Sequence, residues 1–146
     1  MFSESIGDKG LVYATEINKS ALSYVEKMCE RRANIRPVVS ALDNANLPAD
    51  CADVVFMCSM YHAVYITSIE FVKDRFINSI KKALRPGGKL IIVDNDITPP
   101  DIPAYFGSAI DPRFTITQLS KYGFKLKECK RFVPQRYVLV FEREED

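Results

Sequence analysis

The sequence has little with which to bind a metal or cross-link itself. Its single histidine is His62, and its four cysteines, Cys29, Cys51, Cys58 and Cys129, include no CxxC pair. A structural zinc site needs several such ligands at short spacing, and a disulfide framework needs paired cysteines in a secreted chain. Neither is expected, and the four thiols should be reduced and partly buried. An excess of one charge is lacking too: twenty basic residues face nineteen acidic ones, for a net charge of +1. Neither a nucleic-acid backbone nor an anionic membrane is therefore indicated as a partner. No stretch approaches the roughly 20 apolar residues that span a bilayer, and the opening MFSESIGDKG has no apolar core of signal-peptide length. These absences lead to the expectation of a soluble, cytoplasmic protein.

What is present is enough apolar material for one core. With 146 residues, 47% of them apolar, residues 1–146 are expected to form a single domain. Leu11 to Ile17 is β-branched and aromatic and reads as a strand covered on both faces, closing on the carboxylate Glu16. Asn18 or Ser20 can cap a following helix that places Leu22, Val25, Met28, Cys29 and Arg32 on one side and Lys27, Glu30 and Arg31 in solvent. Ile35 to Val39 is a short strand that Pro37 assigns to an edge. Val54 to Ser59 is an apolar strand leading into Met60, Tyr61 and His62. The next helix has Ser68 as cap and Ile69, Val72, Phe76, Ile77, Ile80, Ala83 and Leu84 on its buried side. Arg85-Pro-Gly-Gly88 stops it, and Lys89 to Asp94 is a third apolar strand before a proline-rich loop, Asp96 to Pro103. This alternation predicts parallel βαβ units. The last third differs. Thr115-Ile-Thr-Gln118 reads as a capping box for a helix over Ile116 to Tyr122, closed by Gly123. Strands Lys125 to Phe132 and Tyr137 to Phe141 are joined too tightly for a crossover and must be antiparallel. The charged tail from Glu142 to Asp146 is expected to fray.

In such a sheet, ligands bind outside the C-terminal ends of the parallel strands. Those ends hold Glu16, the loop Ser40 to Asn44, Ser59 to His62, and Asp94 to Asp96. A carboxylate at Glu16 can accept hydrogen bonds from both hydroxyls of a ribose, or can simply cap the next helix. Ile17 can pack on an adenine face or in the core, and Asp43 can accept an adenine amino group or serve as turn chemistry. Tyr61 and His62 should both emerge into the crevice, where either could handle a substrate proton. Arg85-Pro-Gly-Gly88 follows a helix and precedes a strand, the reverse of the order that aims amides at a phosphate, and reads as a turn.

Taken together, VYATEI, NLPADCADVVFMCSMYH and LRPGGKLIIVDND resemble the acidic-strand, fourth-strand and Pro-Gly-Gly segments of class I S-adenosylmethionine-dependent methyltransferases. TITQLSKYGFKLKEC and FVPQRYVLVFE are similar to the terminal helix and antiparallel hairpin of that family, so the resemblance covers nearly the whole chain. It implies a Rossmann-like α/β fold: a mostly parallel sheet, helices on both faces and a C-terminal antiparallel hairpin. It implies S-adenosylmethionine as cofactor, Glu16 on its ribose, Ala41, Leu42 and Asp43 framing its adenine, and a small-molecule or protein methyl acceptor. Ser59 joins the donor-side set at a position where relatives often carry an acidic residue. Ala63 departs from the family's frequent Tyr-His-His. The larger departure is at the front: the family's first strand and glycine-rich loop have no counterpart, and MFSESIGDKG resembles only the end of the helix after that loop. Two consequences are expected, unpaired sheet edges that favour homo-oligomers and weak donor binding by this chain alone. A catalytically silent binding or scaffold domain of the same fold is the alternative reading. A nicotinamide-dependent enzyme would share the acidic residue, but the terminal hairpin and the Pro-Gly-Gly turn weigh against it.

Overall fold

The computed structural model describes residues 2–29, 33–67, 69–96 and 109–145. A turn of helix, α1 (Phe2–Ser5), precedes strand β1 (Val12–Glu16), helix α2 (Lys19–Cys29) and strand β2 (Ile35–Val39). Asn18 is the cap of α2, not Ser20: its Oδ1 accepts the N–H of Ser20 at 2.9 Å and of Ala21 at 3.3 Å. Leu22 is buried, Val25 and Cys29 are half-buried and Lys27 is exposed, as the spacing requires. The side chain of Met28 and residues Glu30, Arg31 and Arg32 lie outside the described residues. Strands β1 and β2 pair in parallel from Val12↔Ile35 to Glu16↔Val39 and form a two-stranded sheet, so Pro37 does sit in an edge strand.

A second sheet has the order β3-β4-β6-β5, from strands β3 (Ala52–Cys58), β4 (Leu84–Asn95), β5 (Phe124–Lys130) and β6 (Arg136–Arg143). Strand β3 runs parallel to β4, while β6 runs antiparallel to both β4 and β5, which gives the expected C-terminal hairpin. Between β3 and β4 lie helices α3 (Tyr61–Thr67) and α4 (Glu70–Ala83), and α5 (Pro112–Ser120) precedes β5. Met57, Leu90, Ile92, Leu139 and Phe141 form the main core with Tyr61, Phe76, Ile77, Ile80 and Leu119 from the three helices. The opposite face of β3 is not covered as its apolar run implied: Val54 and Phe56 remain 51% and 42% exposed. Phe2 meets Phe56 there edge-on, with ring centroids 4.9 Å apart.

Several local expectations are corrected. Helix α3 is an addition, since Tyr61, Val64 and Tyr65 follow helical spacing directly after β3. Ile69, expected inside α4, is the residue before its first turn and is 67% exposed, whereas Phe76, Ile77, Ile80, Ala83 and Leu84 are buried as expected. Ser68, its expected cap, and the loop beyond Asp96 lie outside the described residues. Arg85 to Gly88 bulges out of β4: Ala52 faces Leu84 but Val54 faces Lys89, and Gly87 supplies the left-handed φ of +73° that the excursion requires. Helix α5 starts a turn earlier than the Thr115–Gln118 box implies. Pro112 is preset for a first helical turn and Asp111 caps it by accepting the Arg113 N–H at 2.8 Å, so Thr115 falls inside the helix, fully buried against the Tyr137 hydroxyl. Gly123, with φ +76°, closes it as expected. Glu142 and Arg143 do not fray: both belong to β6, and Arg143 pairs with Asp50 at 2.9 Å. Cys29 and Cys51 are half-buried, but Cys58 and Cys129 are exposed. Among the described residues no helix is long and apolar enough to cross a membrane.

Candidate active site

Two groups of residues gather at the C-terminal ends of the parallel strands. The first belongs to β1 and β2. The Glu16 carbonyl accepts the Ser40 N–H at 3.0 Å, which brings the loop after β2 beside the end of β1. Glu16 is half-buried, and its Oε1 accepts the Asn18 N–H at 2.8 Å. A carboxylate has room for further donors, so this bond shapes the turn into α2 without exhausting the side chain. Ile17, just past the strand, is 46% exposed. Ala41 and Asn44 bridge each other across a tight turn, with the Ala41 N–H 2.7 Å from the Asn44 carbonyl, and Leu42 at its tip is 72% exposed. The Asp43 carboxylate is 3.1 Å from Arg75 Nε on α4, an exposed pair that ties the loop to that helix. Exposed Ile17 and Leu42 are apolar groups, and Glu16 and Asp43 carboxylates, of the kinds that suit an adenosine.

The second group belongs to β3 and β4. Ser59 ends β3 with φ +52°, an uncommon backbone for a non-glycine residue, and is held there by its N–H on the Val93 carbonyl at 2.8 Å. The chain then enters α3, and Tyr61 and His62 part company. Tyr61 does not emerge into the crevice. It is fully buried, and its hydroxyl donates to Gln118 Oε1 at 2.5 Å. Burial, with Tyr122, Tyr137 and Tyr65 around it, pushes its phenol far above the usual range. It is a core residue that holds α3 to α5 and is corrected as a candidate for proton handling. His62 turns the other way. Its N–H donates to Asp94 Oδ2 at 2.8 Å, its Nδ1 lies 2.7 Å from Asp94 Oδ1, and its side chain keeps 20% of its exposure.

Asp94, at the end of β4, is fully buried and was not among the residues singled out as a site. Its sequence signal was the same as that of Glu16, a carboxylate closing an apolar strand. What could not be read was that it faces His62, 32 positions earlier. No group of His, Cys, Asp and Glu able to hold a metal occurs among the described residues. A cavity of about 680 Å³ lined by Ser3, Gly7, Gly10, Leu11 and Asn34 lies before the starts of β1 and β2, at the opposite end from these groups. It is remote from the strand ends where such sheets carry chemistry.

Solved structures share this fold. A SAM-dependent methyltransferase from Aquifex aeolicus superposes with a TM-score of 0.81 over 97% of this chain and 73% of its own, at 18% identity. A SAM-dependent methyltransferase from Methanosarcina mazei does so at 0.71 over 99% and 87%, at 13% identity. PigF, solved with SAH, reaches 0.69 over 96% and 46%, at 14% identity. These likenesses establish the Rossmann-like fold. A sequence comparison with curated proteins finds no match. The profile of a methyltransferase domain, however, matches residues 2–92, which is most of the chain and takes in both groups of strand-end residues except Asp94. By that match, the chain belongs to the methyltransferase domain family.

Proposed function

We propose that this methyltransferase takes its methyl group from S-adenosylmethionine and passes it to a small-molecule or protein acceptor, with donor and acceptor meeting between the two groups of strand-end residues. The observation that carries the reading is the strand end at Glu16, a half-buried carboxylate beside exposed Ile17 and the Ala41–Asp43 turn, in a chain of this family. Glu16 would hold the ribose hydroxyls, and Ile17, Ala41, Leu42 and Asp43 would frame the adenine. Ser59, at the end of β3, faces the donor from the other group. When bound, the donor supplies a methyl carbon already activated by its sulfonium. The protein's own task is alignment, plus a base for an acceptor that must lose a proton. His62 is that base in this reading.

The described residues fit the adenosine half of the donor. A catalytically silent binding or scaffold domain of the same fold is the second reading. Residues 1–146 are read as one domain. The cytoplasm is the proposed location, where four unpaired thiols stay reduced. The test is titration calorimetry of S-adenosylmethionine against the chain and its Glu16→Ala variant. Loss of a charge-assisted hydrogen bond should weaken binding by about 1.5–3 kcal/mol. Equal affinity in both removes Glu16 from the site.

A further inference from the structure

His62 is held at two atoms by one carboxylate, and that carboxylate is itself held from elsewhere. Asp94 Oδ2 accepts the His62 backbone N–H at 2.8 Å, and Oδ1 accepts the Asn95 backbone N–H at 2.8 Å. These two backbone donors orient the carboxylate whatever the ring does. The imidazole Nδ1 then lies 2.7 Å from Oδ1. Because an ionised carboxylate only accepts, that contact requires the proton on Nδ1. The carboxylate is completely excluded from solvent, while the ring retains some exposure. We propose that Asp94 is the positioning residue of His62, fixing the Nδ1–H tautomer so that Nε2 carries the lone pair that takes the acceptor's proton. This rests on the reading of His62 as the base.

In the step itself, the acceptor's heteroatom forms a bond to the methyl carbon as the carbon–sulfur bond breaks. The sulfur keeps that electron pair and leaves as S-adenosylhomocysteine. The acceptor's proton passes to His62 Nε2. The imidazolium so formed has Asp94 already in contact through Nδ1–H, so the new positive charge meets a carboxylate without any movement.

Asparagine cannot replace Asp94. With its oxygen at the Oδ2 position it points an amide N–H at both Asn95 N–H and Nδ1, and with its oxygen at Oδ1 it opposes the His62 N–H. Each arrangement sets two donors against each other, whereas alanine removes the acceptor from Nδ1 and frees the ring to take the Nε2–H form that an unheld imidazole favours. The single histidine makes the experiment direct, because a long-range proton–nitrogen correlation of the ¹⁵N-labelled chain shows one imidazole. The expected result for the unmodified chain is an Nδ1–H ring at a pH where it is neutral. Asp94→Ala should convert it to Nε2–H or to a mixture. An Nε2–H or mixed ring in the unmodified chain overturns the proposal without any variant having to fold. An unchanged tautomer in a folded Asp94→Ala overturns it as well. The tautomer is read with neither donor nor acceptor present, so this failure is separate from a failure of donor binding.

Discussion

Tyr61 and His62 are neighbours with opposite fates, because an α-helix turns about 100° per residue. When α3 begins at Tyr61, one of the two must face the sheet and the other the strand end. The larger, more apolar ring takes the core, and the imidazole is left beside Asp94. Replacing Tyr61 by phenylalanine keeps the ring and removes one donor from a half-buried acceptor, Gln118 Oε1. The expected cost is about 1–3 kcal/mol of stability, read from the urea unfolding midpoint, with the state of the His62 ring unchanged. A Tyr61→Phe variant of full stability would mean that Gln118 finds another partner. The sequence placed both residues correctly at the end of β3. It could not assign their directions, because that depends on where the helix starts relative to the strand, which is a matter of one residue.

At the scale of elements, apolar spacing located the strands and most helix faces, and two of the errors fall at helix starts. A cap is chosen by competition among short polar side chains within a few positions. Asn18 wins over Ser20 in α2, and Asp111 with Pro112 wins over Thr115 in α5. In α5 the decisive partner is Arg113, whose side chain and backbone hold the Asp111 carboxyl below the usual carboxylate range. Asn18→Ala removes the acceptor from two backbone N–H groups of α2 and should cost about 0.5–2 kcal/mol, with faster amide exchange at Ser20 and Ala21. Unaltered exchange at those two amides would assign the cap to another residue. The loss should also loosen Glu16, which accepts the N–H of the same Asn18.

For the molecule as a whole, two sheets share one chain, and β1 and β3 each keep an edge with no strand on it among the described residues. An unpaired edge beside exposed Val54 and Phe56 is a template for another chain. Self-association is therefore expected in sedimentation, and it should weaken when Phe56 is replaced by lysine. A concentration-independent monomer would show that these edges are covered. Alkaline stability offers a second check. Burial raises the phenols of Tyr61 and Tyr137 above the usual range, and burial together with the Asp74 carboxylate does the same for Tyr122. A group whose folded pKa is raised stabilises below its unfolded value, near 10 for tyrosine, and loses that contribution as pH rises beyond it. Stability should thus hold to about pH 10 and fall above it, with these tyrosinates appearing only on unfolding. Tyrosinate absorbance that develops fully before unfolding would contradict their burial. The sequence alone determined the order of the strands and of helices α2, α4 and α5, the parallel βαβ units, the antiparallel terminal hairpin and the carboxylates at the strand ends, because periodicity and connection length are local properties. Only the tertiary structure decided which face of β3 is covered, which aromatic ring fills the core and that Asp94 holds His62. Each of those depends on groups far apart in the chain meeting in one place, and local spacing carries no record of that meeting.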